Sequence, residues 1–176
     1  MCLLGSMHPT RSIHTEVMLM SESIHFDDLS NYSHQIAPFQ FAGVKNVGWL
    51  NVESNYRLGS MQKPILQKLK DLAGGAGNFL PLVEPIRELP TCQLCGAIEL
   101  FDAKGKKLPK AELWIPGNQV IYAAPIEMLH FIEVHNYFPP DEYISAVIAV
   151  DTSISFVADD IYREKLKDCG WLDRKR

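Results

Sequence analysis

Two cysteines and two histidines have the spacing of ligands for a single metal ion. Cys92 and Cys95 are separated by two residues and followed by Gly96, an arrangement that lets both sulfurs reach one tetrahedral ion. His130 and His135 are separated by four residues, within the range found between the histidines of structural zinc sites. The sequence therefore predicts a structural zinc ion held by Cys92, Cys95, His130 and His135.

The histidine spacing sets a geometric condition on this site. His130 falls in the apolar repeat of a predicted helix, Ile126 to His135. At about 100° per residue, five steps along a helix turn two side chains roughly 140° apart, so both cannot face one ion. The helix must therefore end or distort near Val134.

Two other interpretations of the cysteine pair stay open at this stage. In one, Cys92 and Cys95 are reduced and metal-free, His130 is an ordinary core residue and His135 lies at the surface. In the other they form a redox pair of the thioredoxin type. The redox interpretation is less favoured, because Cys95 precedes a predicted strand rather than opening a helix.

A catalytic metal is the alternative to a structural one. Catalytic zinc needs three protein ligands, an open position and a nearby carboxylate base, for which Glu133 and Glu127 are the candidates. The segment from His130 to His135 matches neither His-Glu-x-x-His nor its inverted form. Two thiolates would also neutralise the ion, so we predict no catalytic residues and no further cofactor-binding residues.

Other chemistry is less well supported. The chain has no Gly-x-Ser-x-Gly elbow, and the glycines after residue 73 lack the Gly-Lys-Ser/Thr of a phosphate loop. Four lysines cluster on a predicted hairpin, where charge commonly blocks strand pairing. We expect the N-terminal histidines to lie at the surface without a role in a site; they are His8, His14, His25 and His34.

Composition predicts one cytoplasmic globular domain. With 176 residues, 47% of them hydrophobic, the chain can bury a core without disulfides. A net charge of −4 disfavours nucleic acid and suits a basic protein partner. The apolar run Ala146–Val150 is too short to span a membrane, and no export signal is visible. In a reducing compartment Cys2 and Cys169 are predicted to be free thiols.

The predicted fold is α+β: a small antiparallel sheet of about three strands flanked by helices. Residues 1–24 are predicted to be a loosely ordered leader and residues 25–176 a single domain. The predicted strands are 97–103, 111–115 and 120–123, arranged as a meander. The predicted helices are 61–73 (capped by Ser60), 126–135, 141–150 and 159–168, with zinc joining the loop before the sheet to the helix after it.

The order of these motifs resembles a group of short uncharacterised bacterial proteins without an established activity. The matching residues are Gly48-Trp49-Leu50, Cys92 and Cys95, 111–117, 122–125, His130, His135 and 137–146. The resemblance favours one site for the cysteines and histidines. By analogy it also implies a protein-interaction module, with a toxin-neutralising immunity protein as one form. The alternative is a zinc-dependent hydrolase that uses the same Cys/His site.

Overall fold

The computed structural model describes residues 24–173. Of the predicted leader, 1–24, only Ile24 is described, and Cys2, His8 and His14 lie outside the described residues. The fold is α+β, as predicted. Its helices are α1 Lys63–Gly74, α2 Met128–Val134, α3 Asp141–Ala149 and α4 Ala158–Asp168, followed by a 3-10 turn, Trp171–Asp173. Its strands are β1 Val44–Asn46, β2 Phe79–Leu80, β3 Leu82–Ile86, β4 Thr91–Cys92, β5 Gly96–Ala97, β6 Lys110–Pro116, β7 Ile121–Pro125 and β8 Phe156–Val157.

The central sheet has four strands in the order β1-β7-β6-β3. Strands β3, β6 and β7 are antiparallel, and β1 adds a short parallel edge beside β7. The predicted meander is correct for β6 and β7 and wrong for its first strand. Within 97–103 only Ala97 lies in a strand, as the second residue of β5, which pairs with β4 outside the central sheet. The third antiparallel strand is β3, from the proline-rich segment before the cysteines.

Both faces of the central sheet are buried. Along β6, Leu113 and Ile115 belong to one core cluster, and Trp114 between them belongs to the other. This alternation follows from the period of two in a strand. The first cluster receives side chains from α1, α2 and α3, whereas the second receives α4 and the N-terminal segment that carries Tyr32 and Phe41. The sheet is therefore the middle of three layers.

The helix boundaries match the sequence patterns to within two residues. Asp141 and Glu142 occupy the first turn of α3, and Pro140 precedes it, where a proline can enter a helix. One capping prediction is wrong: α1 begins after Gln62, and no side chain caps it. Pro64 in its first turn has no backbone N–H that would need a cap. No helix within residues 24–173 is long and apolar enough to cross a membrane.

Candidate metal centre

The cysteines lie on a tight hairpin that is separate from the central sheet. Strands β4 and β5 have two residues each, with Cys92 opposite Gly96. Gly96 has φ +84, a left-handed conformation that a side chain would strain, so glycine lets the chain turn back directly after Cys95. Cys92 is buried and Cys95 is exposed. The hairpin therefore presents two sulfurs on one side of a turn.

The histidines lie at the end of α2, where the helix stops as the geometric condition requires. The last helical residue is Val134, and His135 has φ −104 and ψ 8, outside the helical region. Asn136 then takes φ +54, and the Tyr137 N–H reaches back to the Phe131 carbonyl oxygen. This C-terminal turn is a common way to satisfy the last carbonyls of a helix. It also swings His135 toward the face that carries His130.

All four predicted ligands come together. One ligand atom from each of Cys92, Cys95, His130 and His135 lies within 4.8 Å of all the others. His135 Nε2 is 3.4 Å from Cys92 Sγ and 3.3 Å from Cys95 Sγ. The rings of His130 and His135 have centroids 5.0 Å apart. This cluster can hold a metal ion.

The donor types of the cluster suit a four-coordinate ion, and two of the distances between donors match one as well. Ligand atoms around tetrahedral zinc with two sulfurs and two nitrogens are roughly 3.3–3.8 Å apart, which the sulfur–nitrogen distances already match. His130 Nε2 is buried and has no hydrogen-bond partner among the described residues. Such a nitrogen costs free energy unless a ligand satisfies it. Desolvation and, to a smaller extent, the charge of the neighbouring His135 lower the pKa of His130. The lowered pKa favours the neutral imidazole, which is the form that binds metal.

The two carboxylates proposed as hydrolytic bases are both engaged elsewhere. Glu133 forms an ion pair with Lys70 on α1, with a 2.8 Å separation between Oε1 and Nζ. Glu127 is buried, and its Oε1 accepts a hydrogen bond of 3.2 Å from the Thr91 N–H, which comes directly before Cys92. Glu127 therefore ties the cysteine hairpin to the start of α2.

A Ser-His-Asp arrangement that sequence reasoning missed is present near the N-terminal end of the described chain. His25 Nδ1 is 2.7 Å from Ser54 Oγ, and His25 Nε2 is 3.2 Å from Asp27 Oδ1. However, Nδ1 also lies 2.9 Å from the Trp49 carbonyl oxygen, to which it must donate, and the Ser54 hydroxyl donates to Asn51 Oδ1. Because His25 Nδ1 carries the proton, it cannot accept one from Ser54. The arrangement is a turn-stabilising network.

The structure also corrects the prediction for His34 and reveals a partly buried acid. His34 is only 9% exposed, its ring packs 4.4 Å from that of Trp49, and desolvation lowers its pKa to about 4.

The partly buried acid is Glu112. It accepts hydrogen bonds of 2.8 Å from the Tyr32 hydroxyl and from the Trp114 indole N–H. Desolvation raises the pKa of Glu112 to about 7. One feature of the sequence could have indicated that Glu112 is buried: in β6 it lies two residues before Trp114, so the two side chains share one face of the strand.

Fold and site together define an α+β domain with a Cys/His cluster able to hold a metal ion. Residues 24–148 match the family described as Domain of unknown function (DUF7919), and the chain belongs to that family. The match includes the cysteine hairpin and both histidines, and it confirms the expectation of an uncharacterised family. No curated protein and no solved structure matches the chain.

Proposed function

We propose that the chain is a protein-interaction module whose fold is stabilised by one structural zinc ion. The observation that carries the proposal is the convergence of four protein donors, two sulfurs and two imidazole nitrogens, within 4.8 Å. This donor set fills a tetrahedral shell, as structural zinc sites do, and leaves no position for a substrate. The thiolate ligands need a reducing compartment, so the proposal places the protein in the cytoplasm.

The engaged carboxylates support a structural role over the hydrolase alternative. A zinc hydrolase needs a base that can reach metal-bound water. Glu133 is paired with Lys70 on a different helix, and Glu127 Oε1 holds the Thr91 amide. Zinc at this position would join the hairpin to α2 and so fix the surface around them.

That surface offers apolar side chains to a partner. Leu94, at the tip of the cysteine hairpin, is 51% exposed, and Val134, at the end of α2, is 55% exposed. Both residues are chain neighbours of proposed ligands, so the ion would set their positions. The net charge of −4 adds a preference for a basic partner. A toxin neutralised by occlusion is the narrower form of this proposal, supported by analogy with other small interaction proteins.

The zinc proposal is tested by elemental analysis of the purified chain. We expect one zinc per chain in the wild type and in Cys169→Ser, whose thiol lies outside the cluster, and a strong loss in Cys92→Ser and His130→Ala. A cobalt-substituted sample should show the visible spectrum of a tetrahedral site with two sulfurs and two nitrogens. A wild-type chain without stoichiometric metal would overturn the proposal, and an exchangeable water ligand would favour the hydrolase.

The interaction proposal is tested with the zinc-loaded chain tagged in its native cells. We expect a stoichiometric partner that the wild type retains and that Leu94→Asp loses, with Ile154→Asp, at an exposed site on the α3–β8 connection, as the matched control. Equal recovery with Leu94→Asp would exclude the hairpin surface. A partner whose toxicity the chain does not suppress would exclude the immunity role.

A further inference from the structure

A cavity of about 220 Å³ lies beside the metal centre, between the β3–β6 part of the sheet and the cysteine hairpin. Thr91 and Gln93, which flank Cys92, form part of its wall, and Glu127 and Phe131 of α2 form another part. Zinc binding would therefore hold two walls of the cavity in place. The cavity contains none of the four proposed ligands, so it is a separate site.

The cavity combines acidic groups with an apolar and aromatic lining. Three carboxylates, Glu84, Glu112 and Glu127, line it, against one cation, Lys110. The Lys110 ammonium is 3.6 Å from Glu88, which is not among the lining residues. Trp49 and Phe131 contribute aromatic surface. Such a lining suits a ligand with an apolar stem and a cationic end.

Neither buried carboxylate forms an ion pair among the described residues, although the charge of Lys110 acts on Glu127 at longer range. Glu127 is only 8% exposed, and its carboxylate accepts hydrogen bonds from the Thr91 amide and from its own backbone amide. Glu112 is held by two neutral donors, the Tyr32 hydroxyl and the Trp114 indole. A cation entering the cavity would bring to these carboxylates the positive charge that buried acids require.

We infer that this cavity is the anchor site of the interaction module and receives an arginine side chain from the partner protein. The inference rests on the proposed interaction function and names the chemistry of its contact. A guanidinium is favoured over an ammonium because it is planar, can donate two parallel hydrogen bonds to one carboxylate and stacks on aromatic rings. The mild acidity of the whole chain is consistent with a basic partner.

The test uses the zinc-loaded chain and blocked tripeptides, Gly-Arg-Gly and Gly-norleucine-Gly, with acetyl and amide ends. Titrations followed by amide NMR shifts should show saturable binding of the arginine peptide, with the largest shifts at the Trp49 indole, Thr91 and Gln93. The norleucine peptide, which has the stem without the charge, should bind at least tenfold more weakly. We expect Glu112→Gln to weaken arginine binding by roughly threefold to tenfold, and Glu84→Gln to do the same. Because Glu84 is exposed, its replacement should disturb folding less than that of Glu112.

Glu164→Gln, an exposed change of the same charge on α4 and outside the cavity lining, should leave binding unchanged. Equal binding of the two peptides, or an equal effect of Glu164→Gln and Glu84→Gln, would overturn the inference. Tighter binding of free arginine than of the blocked peptide would point to a small-molecule ligand and overturn the partner assignment. If a zinc-loaded chain fails these tests, the arginine anchor is wrong and the proposed zinc site still stands. If the purified chain contains no zinc, the proposed zinc site itself is wrong.

Discussion

His130 and His135 are five residues apart, yet their rings lie 5.0 Å from each other at an angle of 71°. A continuous helix would turn the two side chains roughly 140° apart. The rings meet because α2 ends at Val134 and Asn136 takes a left-handed conformation. The candidate metal centre therefore depends on a backbone feature as well as on its four proposed ligands.

Replacing Asn136 tests this dependence. Asn136→Gly should keep zinc binding, whereas Asn136→Val should lower zinc affinity at least tenfold, because a β-branched residue resists φ +54 at a cost of about 1–2 kcal/mol. The measurement is a competition titration with a metal indicator. Gln119→Val is the matched control, since Gln119 has φ +62 in the turn between β6 and β7. It should destabilise the fold similarly without changing zinc affinity, and an equal loss of affinity in both valine variants would contradict the prediction.

Metal removal should loosen one part of the fold and leave another intact. Strands β4 and β5 contribute only two residue pairs, so the hairpin has little stability of its own. After chelation we expect amide hydrogens near residues 91–98 and at the end of α2 to exchange faster, while those of the paired strands β6 and β7 stay protected. Hydrogen exchange read by mass spectrometry measures this. Uniform loss of protection across the sheet would show that the ion stabilises the whole domain rather than the cysteine hairpin and the end of α2.

Sequence patterns predicted the helices and singled out the four residues of the Cys/His cluster because both signals are local. The Cys-x-x-Cys spacing, the apolar repeat of α2 and the acidic first turn of α3 each lie within about ten residues. The end of α2 was also predictable, because the zinc hypothesis itself required it near Val134. Local spacing could not say that the two chain segments, nearly forty residues apart, would meet.

The strands were harder to predict because their pairing is not local. Residues 97–103 alternate like a strand, and Ile98 and Leu100 are indeed buried, but apart from β5 only the bridge from Phe101 to Lys107 forms there. Alternation reports burial and not a hydrogen-bonded neighbour. Strand β3 was hidden by Pro85, which the sheet accepts at an edge where the register shifts between Val83 and Ile86.

Glu127 is predicted to position the cysteine hairpin and not to perform catalysis. Glu127→Ala would leave the Thr91 N–H without its acceptor, and we expect zinc affinity to fall about tenfold, as for other groups that orient metal ligands. Glu127→Gln keeps a carbonyl acceptor and should restore most of that affinity. Glu133→Gln weakens only the ion pair with Lys70 and should change little. If Glu127→Gln binds zinc as weakly as Glu127→Ala does, the charge of Glu127 rather than its hydrogen bond supports zinc binding.

Glu112 should give the folding stability a distinct pH dependence. Its pKa is raised to about 7 in the folded chain, above the ordinary value of 4.5, because desolvation disfavours the carboxylate. The folded state therefore binds more protons than the unfolded state between these values, so stability falls as pH rises from about 4.5 to about 7. Glu112→Gln removes this titration. The stability of the variant relative to the wild type should thus increase by about 1–3 kcal/mol between pH 5 and pH 8.

Urea unfolding of both zinc-loaded chains at several pH values measures this difference. Metal binding depends on pH in the same way in both chains, so it cancels in the comparison, and Glu164→Gln serves as the exposed control with a flat difference. The hydrogen bonds from Tyr32 and Trp114 lower the pKa of Glu112 against the larger effect of desolvation. Both donors stay neutral over this range, so the difference follows the titration of Glu112 alone. A flat difference for Glu112→Gln would mean that the carboxylate ionises near its ordinary pKa. Desolvation would then not outweigh the hydrogen bonds from Tyr32 and Trp114, contrary to the order of effects expected for this buried carboxylate.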